Sequence, residues 1–153
     1  MYSKEEASKL KQTFWTTFGQ YMSAVPSSDG LKINWINYKT GFKHLSFRMD
    51  ADKKEASIAI EISHPDTGIQ ALFFEQFSEY KKILENCLGE VWLWQLHIKN
   101  EHGKVISRIS RQIDSVSVFK QTDWPILISF FKPRIIALDE FWAMVKDGFE
   151  VLK

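Results

Sequence analysis

The sequence predicts an α+β fold in which amphipathic helices pack on an antiparallel sheet. Five segments alternate apolar and polar residues around turn sequences, as strands do, and the remaining segments repeat apolar residues every three or four positions, as helices do. The 153 residues, of which 44% are hydrophobic, suffice for one domain with its own core, which we place at residues 1–153.

The first predicted helix covers about residues 4–22. Ser3 and Glu6 have the spacing of a capping box, in which each side chain binds a free backbone N–H at the helix start. Apolar side chains then recur at helical spacing from Ala7 to Tyr21.

Three strands are predicted next, at residues 33–39, 44–50 and about 55–63. The first two are joined at Thr40-Gly41, and the last two by a four-residue turn at residues 51–54. Together they would form a three-stranded meander.

A second helix and a second hairpin follow. A nearly continuous apolar stripe over residues 69–88 predicts one helix, which Gly89 ends. Residues 91–98 and 104–113 alternate on either side of the turn sequence at residues 100–103, which predicts an antiparallel pair.

The last segment, residues 124–152, has helical spacing throughout. Because Pro133 lacks an N–H and its ring clashes with the preceding turn, we expect two abutting helices here. The predicted order is therefore α-β-β-β-α-β-β-α-α, with amphipathic helices packed on an antiparallel sheet.

The turn at residues 51–54 also predicts which side chains of the first hairpin share a face. Paired residue numbers should add to about 105, which places Leu45 opposite Ile60 and His44 opposite Glu61. The apolar set would then face the core, and Arg48 would join the polar set on the other side.

The second hairpin has a polar side of its own. Pairs that add to about 203 place Trp94 opposite Ile109, Ile98 opposite Val105, and Gln95 opposite Arg108. If the two hairpins join one sheet, six residues converge on a single polar patch; otherwise there are two separately solvated faces. These candidate binding residues are His44, Arg48, Glu61, Gln95, His97 and Arg108.

The predicted order of the first six elements is similar to the core of the restriction-endonuclease-like, or PD-(D/E)XK, nucleases. The candidate motif here is Asp50 with Glu61-Ile62-Ser63, but Ser63 stands where the family has the lysine that orients or activates water. The predicted register separates Asp50 from Glu61 by six residues, roughly 20 Å, so the two carboxylates could not share one ion. With His44 opposite, Glu61 is better explained by a cross-strand ion pair than by a metal site. We expect no catalytic residue, metal or cofactor.

Charge and composition exclude several function classes. The net charge is only +1, but residues 32–54 carry +4 and residues 97–120 carry +3, whereas residues 66–90 carry −3. Phosphate-binding and nucleophile-elbow glycine motifs are absent, and the single Cys87 falls on an apolar helix face. No apolar run approaches the ~18 residues that cross a bilayer, so we expect a cytoplasmic protein without a membrane partner.

Seven short segments together resemble a known bacterial family over essentially the whole chain. They are Trp35-Ile-Asn-Tyr-Lys-Thr-Gly41, Phe47-Arg-Met49, Ile60-Glu61, Phe73-Phe-Glu-Gln-Phe77, Trp94, Ser107-Arg-Ile109 and Leu138-Asp-Glu-Phe-Trp142. The family is domain of unknown function 4268. The resemblance implies a module that occurs alone or attached to nuclease-like domains, in proteins associated with DNA or defence. It implies no activity and no catalytic residue.

These observations favour a non-catalytic module that binds another macromolecule, either protein or nucleic acid, through the polar sheet face. Whether the chain is an enzyme stays open, with the balance against it. One alternative is a diverged metal-dependent nuclease that uses Glu61. Another is a homodimer assembled through aromatic surface.

Overall fold

A computed structural model describes residues 2–153 and has the predicted α+β architecture. In chain order the elements are α1 (Lys4–Met22), β1 (Leu45–Ala51), β2 (Glu55–Ile62), α2 (Thr67–Glu79), α3 (Lys81–Leu88), β3 (Leu93–Lys99), β4 (Val105–Asp114) and α4 (Trp124–Val145). Short 3-10 helices cover Gln121–Asp123 and Lys146–Leu152. Every helix within residues 2–153 is too short or too polar to cross a membrane.

The two hairpins form one four-stranded antiparallel sheet in the order β1-β2-β4-β3. Helices α2 and α4 pack on one face, where the ring of Phe47 lies 5.9 Å from Trp142 and the ring of Trp94 lies 5.6 Å from Phe74. The opposite face carries the other half of each alternating strand. We call it the open face, and it is formed by Ser46, Arg48, Asp50, Glu55, Ser57, Ala59, Glu61, Leu93, Gln95, Arg108, Ser110, Gln112 and Asp114.

Helix α1 confirms its prediction, capping box included. The Ser3 hydroxyl accepts a hydrogen bond from the Glu6 N–H, and the Glu6 carboxylate accepts one from the Ser3 N–H. Phe14 and Phe18 are fully buried, and their rings lie 6.4 and 5.9 Å from that of Phe131 in α4. The apolar stripe of α1 therefore attaches this helix to α4.

The predicted strand at residues 33–39 is wrong, and so is the three-stranded meander. The Asn34 side-chain oxygen accepts the backbone N–H groups of Ile36 and Asn37, which removes two donors that a strand would need. The Trp35 indole donates to the Val25 carbonyl at 2.9 Å and is buried. Residues 23–44 therefore form a long, irregular loop, and the second neighbour of β2 is β4.

The register of the first hairpin differs by two residues from the prediction. Leu45 pairs with Ile62, and Ser46 takes the place opposite Glu61 that the prediction gave to His44. The paired residues continue to Ala51 and Ala56, which are both buried. The loop between β1 and β2 therefore covers residues 52–54 instead of the predicted 51–54. Because side chains alternate with a period of two, a shift of two leaves each residue on its predicted face.

Two helix predictions need correction. The helix expected over residues 69–88 breaks at Tyr80, whose φ of −101° and ψ of 14° separate α2 from α3. The break lets α3 pack on α4 while α2 packs on the sheet. Conversely, α4 continues through Pro133 instead of splitting there. Pro133 is on the exposed side, and buried side chains before and after it hold both halves in line.

The second hairpin is confirmed, and its predicted register holds away from the turn but is shifted by one residue next to it. Trp94 pairs with Ile109 and Gln95 with Arg108 as predicted, but Ile98 pairs with Ile106 instead of Val105. A bulge between Gln95 and Ile98 inserts an extra residue, and His97 within it has a φ of 52°. Its N–H donates to the Ser107 hydroxyl at 3.0 Å, which stabilises the bulge.

Candidate functional site

Four of the six predicted site residues lie together on the open face. Glu61 is directly opposite Arg108 across the β2–β4 pair, and Gln95 is opposite Arg108 on its other side. Arg48 reaches the same carboxylate from β1. Strand alternation therefore predicted this cluster, and the β2–β4 pairing completes it.

Glu61 is shared between two arginines. Its Oε1 lies 3.8 Å from Nη1 of Arg48, and its Oε2 lies 3.9 Å from Nε of Arg108. Only 12% of the Glu61 side chain is exposed. The distances are those of ion pairs and are too long for hydrogen bonds. The carboxylate is thus compensated by two cations without being tightly bound by either.

Arg48 is the centre of the cluster. Its Nε donates a 2.9 Å hydrogen bond to Asp50, and its Nη2 lies 3.8 Å from Glu101 in the turn of the second hairpin. The negative charge of Asp50 raises the pKa of Arg48, against the opposing effect of burial, and Glu61 adds to the increase. Arg48 therefore stays cationic and links three carboxylates.

Arg108 is less completely paired. Its Nε is buried and has no hydrogen-bond partner among residues 2–153, although the Glu61 carboxylate is 3.9 Å away. A buried N–H without a partner is uncommon in proteins. The buried Nε–H of Arg108 is thus an unsatisfied hydrogen-bond donor within the cluster.

His44 lies outside the cluster. It precedes β1 with a φ of 66°, and its carbonyl accepts the Ser63 N–H at 2.8 Å. Its ring is 5.1 Å from that of His64. Burial, and then the charge of His64, lower the pKa of His44. The residue terminates the first hairpin and does not face Glu61.

His97 also belongs to the framework. Its Nε2 is 2.9 Å from the Thr67 carbonyl, and since a carbonyl only accepts, Nε2 carries the proton. Ser107, which holds the His97 backbone, in turn donates to the Gln70 side chain at 2.6 Å. His97 therefore joins the bulge to the start of α2.

The corrected register brings Asp50 closer to Glu61 than predicted. Asp50 pairs with Ser57, four residues from Glu61, which corresponds to about 14 Å instead of roughly 20 Å. The Arg48 side chain contacts both carboxylates. Within residues 2–153, no three His, Cys, Asp or Glu side chains are grouped so as to hold a metal ion. Here an arginine, not a metal ligand set, connects the two acids.

The sequence did not indicate Glu101 as part of this cluster. It lies in the turn between β3 and β4, and reaches Arg48 only because β4 pairs with β2. Its own backbone N–H lowers the pKa of the Glu101 carboxyl, and Arg48 adds to the effect against burial. Strand order, which alternation alone does not specify, was the missing information.

Comparison with known proteins identifies the family and nothing closer. Neither curated proteins nor solved structures give a match. The model of one family, described as "Domain of unknown function (DUF4268)", matches residues 10–146, which include all the strands and most of the helices. The chain therefore belongs to the domain of unknown function 4268 family.

Proposed function

We propose that this chain is a non-catalytic binding module whose open face holds a protein partner. The observation that carries the proposal is the Arg48–Glu61–Arg108 cluster on a sheet face that lies opposite the helices. We place this module in the cytoplasm and, as the family resemblance implies, in a bacterium.

Exposed apolar side chains beside the cluster support a protein partner. Val91 and Leu93 are 66% and 60% exposed, and they line a shallow concavity together with Gln95 and Arg108. Apolar side chains next to arginine are typical of protein interfaces, whose centres are enriched in arginine and depleted of other charged residues.

The charge of the open face favours protein over nucleic acid. Its two arginines contact three carboxylates: Asp50, Glu61 and Glu101. The lysines that made this part of the sequence basic lie in loops outside the strands; they are Lys32, Lys39, Lys43, Lys53 and Lys54. A strand of nucleic acid would have to displace the carboxylates to reach the arginines.

A diverged nuclease is the alternative that the predicted order of elements suggested, although the observed order, α-β-β-α-α-β-β-α, lacks the first of the three predicted strands. Its motif would need a cation between Asp50 and Glu61, where Arg48 contacts both acids. It would also need a basic group at Ser63, whose hydroxyl instead lies 3.4 Å from the His44 carbonyl. A binding role requires neither the cation nor the basic group, so it fits this arrangement better than a nuclease does. Isothermal titration with Mg²⁺ or Mn²⁺ tests the alternative: heat of binding that disappears in Glu61→Gln would favour the nuclease.

Site-specific photocrosslinking tests the proposed function. A benzoylphenylalanine replaces Ser110, at the centre of the open face, and in a matched control it replaces the exposed Glu140 on α4. In cells of the native host, we expect a discrete protein adduct from position 110 and none from position 140. Adding Arg108→Ala or Leu93→Ala should remove that adduct. Equal adducts from both positions, or an adduct that nuclease digestion removes, would contradict a protein-binding face.

Two solution measurements identify the class of partner. Sedimentation velocity at micromolar concentration shows whether the protein partner is a second copy of this chain. Fluorescence anisotropy with a labelled oligonucleotide tests nucleic acid: affinity that falls steeply with salt, with a slope flattened by Arg48→Ala plus Arg108→Ala, would replace protein by nucleic acid as the partner.

A further inference from the structure

A second candidate site lies under the loop at residues 23–44, away from the open face. The loop has no helix or strand, yet its backbone is ordered by specific contacts: the Ser27 N–H donates to the Leu31 carbonyl at 2.8 Å, and the Trp35 indole donates to Val25. Long loops without secondary structure are uncommon in compact domains and usually have a function.

The loop is fixed to α4 through Asp139. The carboxylate of Asp139, only 5% exposed, accepts the Tyr38 hydroxyl at 2.6 Å and the Ser28 N–H at 2.8 Å. The indole of Trp142, one turn further along, donates to the Thr40 carbonyl at 2.8 Å. Both oxygens of Asp139 are therefore engaged in holding the loop against the helix.

A cavity of about 290 Å³ lies between this loop and the end of α4, and we call it the loop pocket. Its wall includes Asn34, Asn37, Tyr38, Lys39, Asp139 and Lys146. The volume is at the small end of the range for ligand pockets, and the hydrogen-bonding groups converge from two separate parts of the chain. It suits a small polar molecule.

Lys146 is the most informative residue in the loop pocket. It is half-buried, and its ammonium makes no hydrogen bond or ion pair with any residue from 2 to 153. Its Nζ lies so close to Gly41 that a Cβ on that residue would be only 3.3 Å from the Lys146 Nζ. Gly41 also has a φ of +86°, which favours glycine. The loop thus leaves room for an ammonium that has no anionic partner.

Lys39 contributes a second cation to the same cavity, and it too makes no ion pair within the described residues. The Asn37 side-chain amide lines the cavity and has a free donor for an anion's oxygens. Asp29 and Asp139 also line the cavity and add two negative charges to its wall. These carboxylates would repel a ligand with several anionic groups. The loop pocket therefore favours a ligand with a single anionic group.

We propose that the loop pocket binds a small molecule carrying a single oxyanion group, carboxylate or phosphate, whose oxygens are held by Lys146 and Lys39. Charge-assisted hydrogen bonds from ammonium groups to such oxygens are among the stronger polar contacts in proteins. The site is independent of the proposed protein-binding face and would persist if that proposal failed.

Amide-detected NMR titration of the whole chain tests the proposal. Inorganic phosphate and acetate are added separately, and each is compared with sodium chloride at equal ionic strength. We expect saturable shifts of the Gly41 amide, which lies next to the Lys146 ammonium, and of the indole N–H of Trp142, which lines the loop pocket. Lys146→Ala should weaken the affinity at least about tenfold, a loss of about 1.4 kcal/mol. Lys32→Ala, which removes an exposed lysine of the same loop outside the pocket wall, should leave it unchanged.

The outcomes separate the two ligand chemistries. Saturation by phosphate alone assigns a phosphorylated ligand, and saturation by acetate alone assigns a carboxylate. If neither anion saturates, or if chloride produces the same shifts, the proposal is overturned. It is also overturned if Lys146→Ala and Lys146→Gln, each with the wild-type dispersion of amide signals, bind as tightly as the wild type does.

Discussion

Arg134 and Glu90 form a two-pronged ion pair that joins α4 to the segment before β3. Arg134 donates through Nε and Nη2 to the two carboxylate oxygens of Glu90, at 2.9 and 2.8 Å. The Trp92 indole adds a 2.7 Å hydrogen bond to the same carboxylate, and Arg111 approaches to 4.0 Å. Parallel hydrogen bonds of this kind fix the relative orientation of the two groups as well as their distance.

We expect Glu90→Gln to lower the free energy of unfolding by about 1–3 kcal/mol at pH 7, because the Arg134 guanidinium then has no negative charge beside it. Burial alone would raise the pKa of Glu90, but hydrogen bonds from Arg134 and Trp92 outweigh it and lower that pKa below its usual 4.5. The stabilisation is therefore present above pH 4.5 and is lost as pH falls through the lowered pKa.

Urea denaturation of both proteins between pH 7 and pH 3 measures this difference. Glu150→Gln serves as a control, since Glu150 forms a 4.0 Å pair with Lys153 in which both side chains are about half exposed. Its effect should be within about 0.5 kcal/mol at every pH. A difference for Glu90→Gln that grows as the solution becomes more acidic would contradict the assignment.

Tyr38→Phe tests the attachment of the long loop to α4. Losing the hydroxyl that donates to Asp139 should lower the free energy of unfolding by about 1–2 kcal/mol at pH 8. Burial, and then the hydrogen bond to Asp139, raise the pKa of Tyr38 above its usual 10. The stabilisation is therefore complete below pH 10 and declines as pH rises beyond it.

The measurement is urea denaturation at pH 8 and at pH 11, with Tyr21→Phe as the matched control. Tyr21 is 51% exposed, and its hydroxyl accepts only a 3.3 Å bond from Lys132. The control should change stability little at pH 8. If Tyr38→Phe has no larger effect there than Tyr21→Phe, the loop is held by its other contacts.

Pro133→Ala should stabilise the protein, because α4 passes through this position without a break. Alanine restores the N–H that proline lacks and removes the ring clash with the preceding turn, a change of up to about 3 kcal/mol in a helix interior. Guanidinium denaturation measures the gain. Ser129→Ala, at an exposed site one turn earlier, controls for helix propensity and should gain about 0.5 kcal/mol or less. Destabilisation by Pro133→Ala would mean that the core packs against a bend that proline imposes.

The parts of the fold that sequence predicted are those set by neighbouring residues. The capping box of Ser3 and Glu6 marks the start of α1, and the turn at residues 100–103 fits the observed hairpin, with Gly103 at a φ of +75°. The open face was also predictable: an error of two residues in the β1–β2 register leaves Arg48 and Glu61 on the same side.

The errors arise where tertiary contacts decide the structure. Residues 33–39 alternate as a strand would, but Asn34 binds their backbone and Trp35 is buried below the loop. Tyr80 interrupts a continuous helical stripe, so that α2 packs on the sheet while α3 packs on α4. His97 has a positive φ although it is not glycine. None of these choices is visible within a local window of sequence.

One signal for the loop pocket was nevertheless present. Asp139 lies four residues after Ile135 and three before Trp142, which places a carboxylate on the apolar stripe of α4. A buried carboxylate requires hydrogen-bond donors, and the chain supplies them from Tyr38 and Ser28, more than 100 positions earlier. Its position indicates that something polar packs there, but the identity of the donors depends on the fold.

The final prediction concerns Glu61, the carboxylate that Arg48 and Arg108 share. Glu61→Gln leaves two guanidinium groups facing a neutral side chain, so their mutual repulsion is no longer offset. Since both arginines are partly exposed, we expect a loss of about 1 kcal/mol or less at low salt, which shrinks as salt screens the charges. Urea denaturation at 20 mM and 500 mM sodium chloride measures the trend.

Glu101→Gln should produce a smaller change, because its side chain is 66% exposed and contacts only Arg48 on this face. If the Glu61→Gln protein is more stable than the wild type at low salt, the free-energy cost of burying this carboxylate exceeds the stabilisation from its two ion pairs. The open face would then retain Glu61 for the partner it binds and not for the stability of the sheet.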